Sequence, residues 1–450
     1  MIKFQKNFIF GIAESDLQTV GSQEPYMQEN AHLTMWDEYS KKNKKDLPDR
    51  GGLKYNYFKQ DADLISNLGV NSYRTSISMS RTIDRHGKIN KKALKWYRNY
   101  LTKLKKRGVD IHLCLYHWEA PKKFTNKGIL HPDFINVFLK HVDISLDYLS
   151  DLVDYYIPMN ELWCICYLSY YVGIHAPGIN NLKSFFRAYF QSMHLQNETI
   201  KKIRSFQPSA KIGVVNIHFP TYIRVINAKF MKARAIADDL TNFIYSDPLF
   251  FGDIPQKIIY KFKTNFPKNY KTILSESKLA DAINYYGINY YNGQFVKPSN
   301  KAIGFELDED YISIKNSLGW PVFIPPRLPS GLTDIIQTYY QRYNRNGLKK
   351  LFISENGTPA YSHCTDGQIP QDNERILYIH EHLKQIEKAI AKGCTVNGYF
   401  LWTLLDNYEW QSGYSPESAF GLVQVDPKTG SRIPKKSYYW YQQLIHSYKQ

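Results

Sequence analysis

The sequence predicts an α/β fold, a single (β/α)8 TIM barrel with long βα-loops that takes up residues 1–450 as one domain. Three observations predict it. Eight short apolar or β-branched runs have the length of buried parallel strands. Amphipathic stretches of helical length lie between most of them. No glycine-rich phosphate loop follows the first run, as a doubly wound open sheet would favour.

The runs come in order as FIFGIA at 8–13, VNSYRTSIS at 70–78, VDIHLCLYH at 109–117 and YYIPMNEL at 155–162. KIGVVNIH at 211–218, YYGINYY at 285–291, LFISENG at 351–357 and VNGYFLWTLL at 396–405 complete the set. Helical stretches at 61–70, 93–108, 134–153, 197–206, 331–344 and 372–393 feed the second, third, fourth, fifth, seventh and eighth runs. The stretch 93–108 ends in Lys, Arg and Gly, a C-terminal stop signal. Such a barrel needs ~250 residues. The excess falls in the connections 14–60, 163–196, 219–284 and 292–330, which are expected to wall one end.

Barrels of this kind keep their chemistry where strands end and βα-loops begin. Gln18 follows the first run and Arg74 lies within the second. His117 and Trp118 close the third, Asn160 and Glu161 the fourth, Asn216 and His218 the fifth, and Tyr291 the sixth. Glu355 and Asn356 close the seventh; Trp402 is late in the eighth, with Glu409 and Trp410 beyond it. An unpaired carboxylate in an apolar core is costly, so two strand ends carrying Glu need a reason. A salt bridge to a barrel Arg is the plainer one. The other is chemical. Strands four and seven are expected to face each other, so Glu161 and Glu355 converge over the axis. Two carboxylates flanking a small gap suit glycosidic cleavage: one attacks the anomeric carbon and the other protonates the leaving oxygen. Arg74 is expected to keep Glu355 ionised, with Tyr291 bonding to it.

Composition narrows the classes. Hydrophobic residues make up 43% and charged residues 22%, an ordinary globular balance. Aromatics reach 15%, with 36 Tyr and 8 Trp, which suits a sugar-gripping cleft as well as a large core. The net charge is +17, but the lysines are scattered and no reader motif accompanies them, so nucleic-acid binding is not expected. Such a binder would betray itself by strongly salt-dependent affinity. Five Cys with no CxxC pair point to free thiols in a reducing compartment. The first residues lack a signal-peptide core and no apolar stretch approaches the ~20 residues of a membrane span, so a cytoplasmic location is expected. His380 and His382 flank Glu381 on a helix and face different ways; no metal and no cofactor are expected.

The ordered motifs FIFGIAESDLQ, YRTSISMSR, LYHW, MNELWCI, HAPG, DPLFFGD, INYY, ISENG, YFLWTLLDNYEWQSGYS and FGLVQVD resemble glycoside hydrolase family 1, the β-glucosidase family, over nearly the whole chain. The resemblance implies a retaining exo-β-glycosidase with Glu161 as acid/base and Glu355 as nucleophile. It implies Gln18, His117, Asn160 and Glu409 as ligands of the sugar hydroxyls, with Trp118, Trp402 and Trp410 around the ring. It implies Trp163, Asn216 and Trp320 on the leaving-group side. The implied partner is a small-molecule β-glycoside. Glu409 stands where the family's phospho-glycosidases bind phosphate, which favours an unphosphorylated β-glucoside, β-galactoside or β-fucoside. Four departures stand out. Leu162 replaces the Pro that usually follows the acid/base, Val20 replaces a Glu, and Glu119 replaces an Asp. The loop 414–421, near the sugar's 6-position, is about two residues longer than usual. Transglycosylation through the same intermediate, or a silent sugar- or lipid-binding relative, are the competing readings.

Overall fold

The computed structural model describes residues 4–22, 34–84, 86–308, 328–360, 362 and 368–449. Eight parallel strands close into a barrel: β1 (Ile9–Ala13), β2 (Ser72–Ser76), β3 (Asp110–Cys114), β4 (Tyr155–Ile157), β5 (Lys211–Ile217), β6 (Tyr285–Asn289), β7 (Leu351–Asn356) and β8 (Gly398–Trp402). Neighbours follow sequence order around the ring, and β8 pairs with β1 to close it. Each lies within one of the eight expected runs. All eight are buried along most of their length, which is why they read as continuous apolar runs.

Large rings fill the barrel's inside. Tyr155, Tyr285, Phe352 and Phe400 pack together there with Ala13, Ile157 and Val215. Two glycines make room for them. A Cβ on Gly11 would meet the Phe400 ring at 2.3 Å, and one on Gly213 the Tyr285 ring at 2.0 Å. The larger core lies between strands and helices.

The helices largely match expectation, with two corrections. The helix before β5 runs Leu182–Phe206, starting far upstream of 197, because Asn181 caps it by accepting from the Ser184 N–H at 2.9 Å. The connection 219–284 is mostly helical, including Ala228–Thr241, Gln256–Phe262 and Tyr270–Glu276.

The fourth run was expected to be strand through 162. The strand stops at Ile157, since Pro158 has no N–H to give the ladder. β4 and β7 are also not diametrically opposed. β5 and β6 lie between them, so they stand three places apart in a ring of eight. The two glutamates still reach one cleft, because both leave regular strand geometry near their ends.

Candidate active site

Glu355 owes its position to a β-bulge. Between Ile353 and Glu355 the register of β7 slips against β6, and between Ile353 and Asn356 it slips against β8. A bulge bends its strand and re-aims the side chains that follow. Just beyond, a Cβ on Gly357 would fall 1.9 Å from the Trp402 carbonyl oxygen, so the Glu-Asn-Gly sequence lets β7 and β8 approach at the mouth.

Both Glu355 oxygens receive donors. Arg74 Nη1 pairs with Oε1, and the Tyr291 hydroxyl donates to Oε2 at 2.6 Å. Arg74 Nη2 donates to Asn160 Oδ1 at 2.5 Å. Asn289 Nδ2 reaches the same oxygen at 3.3 Å and Glu161 Oε1 at 2.6 Å. The bulge residue Ser354 donates to Asn289 Oδ1 at 2.6 Å. One continuous polar network thus joins the two glutamates.

Glu161 follows the end of β4 with a φ of 52°, the left-handed region. Its Oε2 accepts the Cys164 thiol at 3.0 Å. Burial, and then the charge of Glu355, push Glu161 up to about 8. A carboxylic acid that keeps its proton at neutral pH, beside one gripped by a cation and a hydroxyl, can donate a proton while its neighbour attacks. Burial and the Glu355 charge also raise Tyr291 well above an ordinary phenol, so it remains a donor.

Above the pair opens a cavity of about 920 Å³, walled in part by Gln18, His117, Trp118, Glu161, Trp163, Tyr291, Glu355, Trp402, Glu409 and Trp410. Burial and then Arg74 hold His117 well below an ordinary imidazole, so the ring is neutral. Its Nε2 meets Asn160 Nδ2 at 3.2 Å. Trp118, Trp402 and Trp410 surround it, with ring centroids 4.9, 6.0 and 6.3 Å away. The Gln18 side chain is fixed by its neighbours: its Nε2 donates to the Tyr408 carbonyl at 2.8 Å and its Oε1 accepts the Ser15 hydroxyl at 2.7 Å. Three buried polar atoms of the cavity walls, His117 Nδ1, Glu409 Oε1 and Trp163 Nε1, have no hydrogen-bond partner among the described residues. Such atoms are costly unless ordered water or a polar ligand satisfies them.

Two predicted residues stand behind the walls. Asn160 is fully buried and bonds Arg74, Asn289 and His117. Asn216, expected on the leaving-group side, turns its side chain toward the Leu162 N–H and the Tyr286 hydroxyl instead. Trp320 lies outside the described residues. Glu119 accepts the Ser80 N–H at 3.2 Å, and burial pushes it up to about 7.

The sequence reading missed Asn289, although it lies in the expected sixth run and falls under the same strand-end rule. It gave no role to Cys164, Tyr167 or Tyr171. A π-helix, Cys164–Val172, carries both tyrosines. Trp163 stacks on Tyr167 at 5.2 Å and Tyr167 meets Tyr171 at 5.1 Å, a spacing of four residues repeated along the cavity wall.

Cys114, Cys164, Cys166 and Cys394 are free thiols. Among the described residues, His194, Glu198 and Glu276 bring ligand atoms within 4.8 Å of one another, with Lys201 paired to both glutamates. No helix among the described residues is long and apolar enough to cross a membrane.

Comparison with known proteins places this geometry. The model of glycosyl hydrolase family 1 matches residues 1–450. β-Glucosidase A of Thermotoga maritima is 30% identical over 455 residues, covering 98% of each chain. A 6-phospho-β-galactosidase of Clostridium acetobutylicum is 28% identical over 480 residues, covering 100% of this chain and 98% of that one. The solved structure of a family 1 β-glucosidase from Thermotoga maritima superposes with a TM-score of 0.89 at 28% identity, covering 99% of this chain and 98% of that one.

Proposed function

Since the chain belongs to glycosyl hydrolase family 1 and is a retaining glycosidase, we propose that it hydrolyses terminal, unphosphorylated β-D-glucosides, with β-galactosides or β-fucosides as the neighbouring choices. The observation that carries the division of labour is the unequal setting of its two cleft glutamates. Glu355 is bonded by Arg74 and Tyr291, whereas Glu161 is held protonated near neutral pH by burial and by Glu355 itself.

In this reading Glu355 attacks the anomeric carbon while Glu161 protonates the departing oxygen. The bond from sugar to leaving group breaks as the bond from sugar to Glu355 forms. Esterification removes the Glu355 charge and with it one cause of the raised Glu161 pKa. Glu161 then accepts a proton from the water that hydrolyses the glycosyl ester. His117, Gln18 and Glu409 are the proposed ligands of the sugar hydroxyls, with Asn160 bracing His117 from behind the wall, and Trp402 and Trp410 are the ring contacts. The relatives at about 30% identity include both β-glucosidases and a 6-phospho-β-galactosidase, so the sugar preference rests on Glu409.

The test is release of an aryl group from β-glucoside, β-galactoside, β-fucoside and 6-phospho-β-glucoside, with Glu355→Ala and Glu161→Ala alongside. Both variants should lose most activity. Azide should partly restore Glu161→Ala on an activated substrate and yield a β-glycosyl azide. A preference for the phosphorylated sugar would overturn the substrate reading, and activity in Glu355→Ala equal to wild type would overturn the role of Glu355.

A further inference from the structure

Glu161 sits in a strained backbone, and the chain lacks the proline that usually follows it in the resembling family. A positive φ in a residue other than glycine is strained and persists only where the surroundings enforce it. Two consecutive residues of β5 do the enforcing. The Glu161 N–H donates to the Val215 carbonyl at 3.0 Å. The next N–H, that of Leu162, donates to Asn216 Oδ1 at 2.9 Å. The first bond fixes the peptide before Glu161 and the second fixes the peptide after it. A proline at 162 has no N–H and makes only the first bond possible, but its ring restrains the preceding residue directly.

Asn216 is itself held from behind. Its Nδ2 donates to the Tyr286 hydroxyl at 3.3 Å, and His218 Nε2 meets that hydroxyl at 2.8 Å. His218 Nδ1 meets the Tyr339 hydroxyl at 2.7 Å. Asn216, His218, Tyr286 and Tyr339 are all fully buried. Burial pushes His218 down to about 3, so its neutral ring offers one donor and one acceptor, as this chain of contacts needs. With Nδ2 committed to Tyr286, the amide can only turn Oδ1 toward Leu162.

We propose that Asn216 is a positioning residue for the acid/base: its side-chain carbonyl takes the Leu162 N–H and so performs the restraint that proline supplies elsewhere. This rests on the role proposed for Glu161. Loss of the brace lets the acid drift from the leaving oxygen without touching substrate or nucleophile.

The test compares kcat/KM for two aryl β-glucosides, one with a weakly acidic phenol that needs protonation to leave and one with dinitrophenol that does not. Asn216→Leu should lower the first about tenfold more than the second, within the worth of general acid catalysis. In Leu162→Pro, where no N–H seeks an acceptor, adding Asn216→Leu should leave that ratio unchanged. Hydrogen exchange followed by mass spectrometry provides a readout independent of turnover. The peptide containing Leu162 should exchange faster in Asn216→Leu, while peptides from β1 and β2 do not. Equal losses on both substrates, an undiminished effect in the proline background, or unchanged exchange at Leu162 would overturn the brace. A wild-type protein that turns over neither glucoside would instead defeat the proposed function, and exchange would still decide the brace.

Discussion

The hydroxyl of Tyr291 donates to Glu355 Oε2 at 2.6 Å, on the opposite carboxylate oxygen from Arg74. A carboxylate held from both sides has one orientation in which to attack. Tyr291→Phe keeps the ring and removes that one donor. A hydrogen bond to a charged group is worth about 1.5–3 kcal/mol, so kcat/KM for an aryl β-glucoside should fall roughly ten- to hundredfold. Steady-state kinetics checks it, and a variant as fast as wild type would remove Tyr291 from the proposed site.

The Cys164 thiol bonds the other glutamate, Glu161, at 3.0 Å. Burial raises this thiol well above the ordinary value, so it stays a donor, and a donor favours the ionised form of the carboxyl it touches. Cys164→Ala therefore makes Glu161 harder to ionise. The alkaline limb of the kcat/KM profile, where the acid loses its proton, should move to higher pH, with less than about a tenfold change at the optimum because a thiol is a weak donor. A limb that moves downward would contradict the contact.

The barrel was legible because each strand is buried on both faces and so leaves an unbroken apolar run, as at Val214–Val215 in β5 or Phe352–Ile353 in β7. The strand-end rule then pointed to Glu161, Glu355, His117 and Tyr291, which line one cavity. What the sequence hid was backbone irregularity. Nothing in ISEN announces that β7 bulges before Glu355, and nothing in MNEL announces a positive φ at Glu161. The side-chain partners of Asn216 were hidden for the same reason, since they depend on where the chain goes after Pro158 ends β4. Tyr167 and Tyr171 were hidden by the π-helix, whose turn of more than four residues changes which side chains share a face.

Glu409 is buried with Oε1 unpartnered among the described residues, and burial pushes its pKa well above that of an ordinary carboxyl. A sugar hydroxyl can donate to it, whereas a phosphate brings acceptors and negative charge. Glu409→Ala should cost an unphosphorylated β-glucoside about ten- to hundredfold in kcat/KM, the worth of one such bond. The 6-phospho-β-glucoside should lose nothing or gain. Parallel kinetics on the two substrates checks this; equal losses would mean that Glu409 does not discriminate.

Glu161 should also cost the protein stability in a pH-dependent way. The unfolded chain releases this proton near 4.5, the folded chain only near 8, because burial and Glu355 oppose the charge. Between those values the folded state binds more protons than the unfolded state, so stability falls as pH rises. Glutamine carries no ionisable proton and escapes that loss. The Tm of Glu161→Gln relative to wild type should therefore be lowest near the acid end, climb through the neutral range and level off above about pH 8, with a gain on the order of a few degrees there. Thermal unfolding at matched ionic strength measures it. A difference that stays flat, or that shrinks toward alkaline pH, would mean that Glu161 ionises as freely in the fold as in the open chain.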